Sequence, residues 1–119
     1  MAGKEAAELA VESERVDARI RVIAAHGQID LYSAPTFKEA VLDAIDDGAT
    51  VLVIDLSDVD FMDSTGLGVL VGASKRLMQL DGRIVIVSPD DLVRRLFEIS
   101  GLQARFPVFE SRELATALL

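Results

Sequence analysis

The sequence predicts an α/β domain: a mixed five-stranded sheet packed against about four helices. Three observations carry that prediction. From Val51 onward, apolar runs alternate with segments of helical period, the pattern of parallel strands joined by right-handed crossovers. The runs Val51–Leu56 and Ile84–Val87 are almost continuously apolar, as strands covered on both faces are. Ahead of them, two strand-like segments separated by a short turn supply an antiparallel pair.

The elements follow in order. A first strand is expected around Leu9 to Glu14, with a turn at Val16-Asp17. Alternation begins near Ala18: Ile20, Val22 and Ala24 share one face, Arg19, Arg21 and Ile23 the other. This reads as a strand covered on one side, closed by His26-Gly27-Gln28-Ile29-Asp30. Ser33 can cap the first helix and Pro35 is tolerated in its first turn. Phe37, Val41, Ala44 and Ile45 form its apolar face, and Asp46-Asp47-Gly48 stops it, since acids at a helix C-terminus oppose the dipole. After the strand Val51–Leu56, Phe61 and Met62 read as loop residues. Leu67, Leu70, Val71, Leu77 and Met78 mark the buried face of the next helix, which Asp81-Gly82 breaks. After the strand Ile84–Val87, Ser88-Pro89-Asp90-Asp91 offers a cap, a proline at the first helical position and acids in the first turn. Leu92, Leu96 and Ile99 form the stripe behind it, and Gly101 is placed to end that helix. Arg105 to Phe109 is a short strand confined to an edge or an end by Pro107. Ser111 caps a final helix whose apolar positions are Leu114, Ala117 and Leu118.

One domain, 9–119, preceded by a flexible acidic, alanine-rich lead, 1–8, accounts for the 119 residues. No apolar run approaches the ~18 residues that span a bilayer, and no secretory signal is visible. Without cysteine there is neither disulfide nor thiolate chemistry, which fits the cytoplasm. The 12 basic and 20 acidic residues leave a net charge of -8. That charge opposes binding to nucleic acid or direct contact with an anionic membrane, and attracts a partner with a basic patch.

The stretch Asp60-Phe61-Met62-Asp63-Ser64-Thr65-Gly66-Leu67-Gly68 stands out, because a hydroxyl sits where a strand gives way to a helix. Such a position caps the helix through Asp63 or Ser64. It equally suits a residue that carries or receives a phosphate. Gly66 and Gly68 destabilise the helix by roughly 1 kcal/mol each relative to Ala. Capping does not require them, and they make sense where another chain or a nucleotide approaches the backbone closely. Asp30, at the end of a strand, would share the sheet rim with Asp63 if that strand is central. It otherwise reads as a solvated turn carboxylate.

Enzyme motifs fit poorly. Asp63-Ser64-Thr65-Gly66 has one residue too many for the Asp-Ser/Thr-Gly of aspartic proteases, and Ser64 is flanked by Met62 and Gly66 where a hydrolase elbow has two glycines. The single histidine, His26, has nothing evident to orient it as a base. There is no phosphate-binding Gly-x-x-x-x-Gly-Lys loop and no metal-ligand spacing. No cofactor is expected.

Taken together, Gly27-Gln28-Ile29-Asp30, Ser33-Ala34-Pro35 and Phe61-Met62-Asp63-Ser64-Thr65-Gly66-Leu67-Gly68-Val69 resemble the STAS domain of bacterial anti-sigma-factor antagonists. Arg95 to Leu102 resembles the end of that family's third helix. The resemblance runs from about Leu9 onward. It implies a cytoplasmic partner-switching regulator and not an enzyme. The unphosphorylated form would bind an anti-sigma factor, a serine kinase with a histidine-kinase-like ATP-binding fold, and so release the sigma factor. That kinase would phosphorylate Ser64, and a PP2C-type phosphatase would reverse the modification. Asp30, Asp63, Ser64, Thr65, Gly66, Leu67 and Gly68 would form the partner-binding site, with Thr65 a second hydroxyl beside the acceptor. Two other roles are compatible with the same domain: docking to a membrane transport complex, and a stressosome-type scaffold.

Overall fold

The structure, a computed structural model, describes residues 9–117 and 119; the expected lead, 1–8, lies outside them. Five strands form one sheet in the order β1-β2-β3-β4-β5. They are β1 (Ala10–Arg15), β2 (Ile20–Ile29), β3 (Val51–Met62), β4 (Arg83–Val87) and β5 (Val108–Phe109). The helices are α1 (Ala34–Asp46), α2 (Ser64–Met78), α3 (Asp91–Ile99) and α4 (Arg112–Ala117). β1 pairs antiparallel with β2, and the other three pairings are parallel. The expected mixed sheet and its four helices are therefore present.

The helices cover both faces of the sheet. On one face Ile23, Leu52, Ile54, Ile84 and Ile86 meet Phe37, Leu70 and Phe97 from α1, α2 and α3 in the main core. On the other, Val22, Val53, Val85 and Val87 meet Ala115 of α4. This corrects the expectation that β2 is covered on one side. Its opposite faces enter two cores, and Arg21, among the residues that looked solvent-facing, is half-buried and paired with Asp47 at 2.7 Å. Asp55 of β3 lies under α4. Its carboxylate accepts from Arg112 Nε at 2.5 Å and from the Ser57 hydroxyl at 2.5 Å. Burial opposes the charge on Asp55, but the hydrogen bonds from Ser57 and Arg112 outweigh it and hold the carboxyl below the usual range.

Several boundaries differ from expectation for identifiable reasons. β3 continues six residues past Leu56 to Met62, so Phe61 and Met62 end a strand instead of lying in a loop. Two irregularities in the β2–β3 register, between Ala24 and His26 and between Gly27 and Gln28, let β3 carry extra residues and still pair Ile29 with Met62. Gly27 has φ of 123° there, a conformation that glycine takes without strain. In α3 the cap is Asp90, whose carboxylate accepts from the Leu92 N–H at 2.7 Å. Ser88 is fully buried, and Pro89 precedes the helix.

The helix phase also moves. Val93 and Phe97 face the core, while Leu92 and Ile99 are 72% and 77% exposed. The Phe97 ring meets Phe106 edge to face at 6.1 Å. Burying that aromatic pair outweighs burying the aliphatic stripe. Gly101, with φ of 75°, ends α3 as anticipated. Met78, expected inside, is exposed near the end of α2, where Ala73 and Ser74 take buried places. β5 is only two residues long, with Pro107 before it and Phe106 buried. Ser111 accepts from the Leu114 N–H at 3.2 Å, as a cap does. The buried residue of α4 is Ala115, whereas Leu114 and Ala117 are exposed. Leu118 lies outside the described residues.

Candidate partner-binding site

β2 lies between β1 and β3, so the C-terminal ends of two parallel strands emerge side by side. The pairing of Ile29 with Met62, and the bond from Asp63 N–H to the Ile29 carbonyl at 3.2 Å, place Asp30 and Asp63 on one rim. Ligand and partner sites in open α/β sheets sit at such strand ends.

Each acid organises its own turn. The Asp63 carboxylate accepts from the Thr65 N–H at 2.9 Å and caps α2. Ser64 is therefore the first helical residue and not the cap. It is exposed, and its hydroxyl has no partner among the described residues. Across the rim, one carboxylate oxygen of Asp30 accepts from the N–H groups of Tyr32 and Ser33 at 2.9 and 3.0 Å. The Ser33 hydroxyl accepts from Asp30 N–H and donates to the Gln28 carbonyl. Ser33 stands at the N-cap position of α1, but its side chain makes no cap bond. It is committed instead to the loop that holds Asp30 in place.

The two glycines of the motif separate. A Cβ on Gly66 would lie 2.7 Å from Met62 Cγ and 2.9 Å from Ile29 Cγ2. Gly66 thus lets α2 sit down on the ends of β2 and β3, and the room it provides is used inside the chain. This corrects the reading of Gly66 as space for an approaching partner. Leu67 is buried as well. Gly68 is exposed, with nothing within 4 Å of a built Cβ, and keeps its side open. Phe61 and Met62 also part company, Met62 packing beneath Gly66 and Phe61 turning outward. Thr65 is half-buried and less accessible than Ser64.

Two exposed residues of the rim escaped the sequence reading. Leu31 and Tyr32 are 66% and 90% exposed, directly after Asp30. The signal was an apolar pair, Leu31-Tyr32, inside a loop. From Leu31 and Thr65 a groove of about 670 Å³ runs between α1 and α2. Pro35 and Leu42 line one side and Val69 and Gly72 the other, with Lys38 and Arg76 also at its edge.

His26 lies away from this rim. Its Nδ1 is 2.7 Å from Asp58 and its Nε2 is 3.1 Å from Glu12. Hydrogen bonds to Glu12 and Asp58 raise its pKa. Among the described residues no group of three or more His, Cys, Asp or Glu could hold a metal ion. Among the same residues, no helix is long and apolar enough to cross a membrane.

The chain and its fold have known relatives. The STAS domain family model matches residues 11–115. The anti-sigma-B factor antagonist of Staphylococcus aureus is 39% identical over 88 residues, covering 74% of this chain and 82% of that protein. The protein of the same name from Listeria monocytogenes is 51% identical over 77 residues, covering 64% of this chain and 67% of its own. The solved structure of the anti-sigma factor antagonist SpoIIAA in its unphosphorylated form superposes with a TM-score of 0.78 at 25% identity, covering 92% of this chain and 96% of its own. The chain belongs to the STAS-domain family of anti-sigma-factor antagonists.

Proposed function

We propose that the chain is an anti-sigma-factor antagonist that switches partners through Ser64. Unphosphorylated, it binds a kinase-type anti-sigma factor in the cytoplasm and frees the sigma factor; phosphorylated at Ser64, it does not. A PP2C-type phosphatase resets it. The chain acts as binding partner and phosphoacceptor, without catalysis of its own.

The observation that carries this reading is the division of labour at the start of α2. Asp63 performs the capping, which leaves the Ser64 hydroxyl exposed and uncommitted at a helix N-terminus. The relatives' names supply the pathway, and the unphosphorylated form specified for SpoIIAA supports a covalent switch. A phosphoserine brings roughly -1.5 to -2 charges. The helix N-terminus tolerates them without refolding, but a partner packed against the Asp30–Asp63 rim would have to desolvate them beside two carboxylates. Asp30, Asp63, Ser64, Thr65 and Gly68 form the contact surface in this proposal, with Gly66 and Leu67 supporting it from beneath.

The test is capture with Ser64→Ala and Ser64→Glu variants. A protein with the histidine-kinase-like ATP-binding fold should be retained by the first and lost by the second. Incubated with that protein and ATP, the wild-type chain should carry phosphate on Ser64 by mass spectrometry. Full phosphorylation of Ser64→Ala would overturn the assignment.

A further inference from the structure

The groove between α1 and α2 opens from the same rim and has the opposite electrostatic character. Both helices follow parallel strands, so they run side by side in the same direction. From Thr65 to Arg76 the groove extends about 16 Å, at ~1.5 Å per helical residue. Its lining is mainly apolar or small, with Leu31, Pro35, Leu42 and Val69 beside Gly68 and Gly72. Both glycines are exposed, and a Cβ at either would meet nothing within 4 Å, so the floor is open to an incoming chain.

Charge distinguishes the rim from the groove. The rim carries Asp30, Asp63 and the exposed Asp60. The groove carries Lys38, exposed and without an ion pair or hydrogen bond among the described residues, and Arg76, paired with Asp46 at 2.9 Å. In a chain of net charge -8, an uncommitted cation beside an apolar trough marks where an acidic group would be welcome.

We infer that the docking surface continues from Ser64 along this groove, which receives an apolar segment of the anti-sigma factor bearing a carboxylate that pairs with Lys38. This rests on the function proposed above. The rim would favour a basic contact and the groove an apolar and acidic one, so the partner can seat in only one direction. Helix-in-groove recognition has this form, with apolar anchors for affinity and a charge for register.

The experiment measures the dissociation constant for the purified anti-sigma factor that the Ser64→Ala chain captures. The variants are Lys38→Glu, Gly72→Leu and, as a control on the same helix outside the groove, Lys75→Glu. Lys38→Glu and Gly72→Leu should each weaken binding tenfold or more, and Lys75→Glu should change it less than threefold. Gly72→Leu replaces a helical glycine at an open position, so its melting temperature should hold or rise while binding falls, which separates a lost contact from a lost fold. Wild-type affinity in both groove variants would overturn the inference and leave the proposed function standing. Failure of every form of the chain to bind such a protein would overturn both. A wild-type dimer that Gly72→Leu converts to monomer would assign the groove to a second copy and overturn the inference alone.

Discussion

Gly66 and Gly68 lie two residues apart on one helical turn and have opposite physical roles. Gly66 is buried against Met62 and Ile29, and a methyl group there enters occupied space. Gly66→Ala should destabilise the protein by about 1–3 kcal/mol, the range for overpacking a filled core. Gly68→Ala meets open space and gains helix propensity, so it should stabilise by up to about 1 kcal/mol. Urea unfolding of the two variants checks both signs. If Gly66→Ala were neutral, Met62 would have room to move that the packing does not show. From sequence the two glycines were equivalent, because their difference lies in what the ends of β2 and β3 place beneath one of them. Ser64 is similar. Its neighbours suggested either a cap or an acceptor, and the backbone path through Asp63 assigns the cap to the carboxylate.

Among the elements, the edge strand β1 is tied across β2 to β3 by His26, which reaches Glu12 on one side and Asp58 on the other. The bonds to Glu12 and Asp58 raise the folded-state pKa above the ordinary value near 6.5. The stabilisation from the charged imidazole is therefore fully present below about pH 6.5 and is lost as pH rises through the elevated folded value. The effect is small, since all three side chains are substantially exposed. His26→Gln should flatten this part of the stability–pH curve, measured by denaturant midpoints from pH 5.5 to 8.5. A persistent fall in stability over that range in the variant would assign it to another group. The histidine looked isolated in sequence because Glu12 and Asp58 lie 14 and 32 positions away. Helix order and strand order were readable from alternation, but the phase of α3 was not. Leu92, Leu96 and Ile99 have helical spacing, yet so do Val93 and Phe97; Phe106 across the loop selects the latter pair for the centre of the core, leaving Leu96 partly buried against it and Leu92 and Ile99 exposed.

For the molecule as a whole, the proposed switch needs no change of fold. Ser64 sits outside both cores, on a rim built by adjacent strand ends, and its side chain holds nothing together. Ser64→Glu should unfold at the wild-type denaturant midpoint, within about 0.5 kcal/mol, while losing the anti-sigma factor. A large drop in stability would indicate that phosphorylation acts by loosening the domain. It would count against the electrostatic account, in which charge at a rigid surface is sufficient.

The sequence alone determined the order of strands and helices along the chain and the mixed sheet, and it singled out the Asp63-Ser64-Thr65-Gly66 turn as the candidate site. These depend on local periodicity, capping chemistry and the covalent order of residues, all of which operate within a few positions of the chain. Only the tertiary structure decided that Asp30 and Asp63 share a rim, that Gly66 serves packing and Gly68 exposure, and that a groove with an uncommitted lysine begins beside Ser64. Those features depend on the β2–β3 register and the seating of α1 beside α2. Both are set by contacts between residues far apart in sequence, where the burial of whole side chains outweighs local preference.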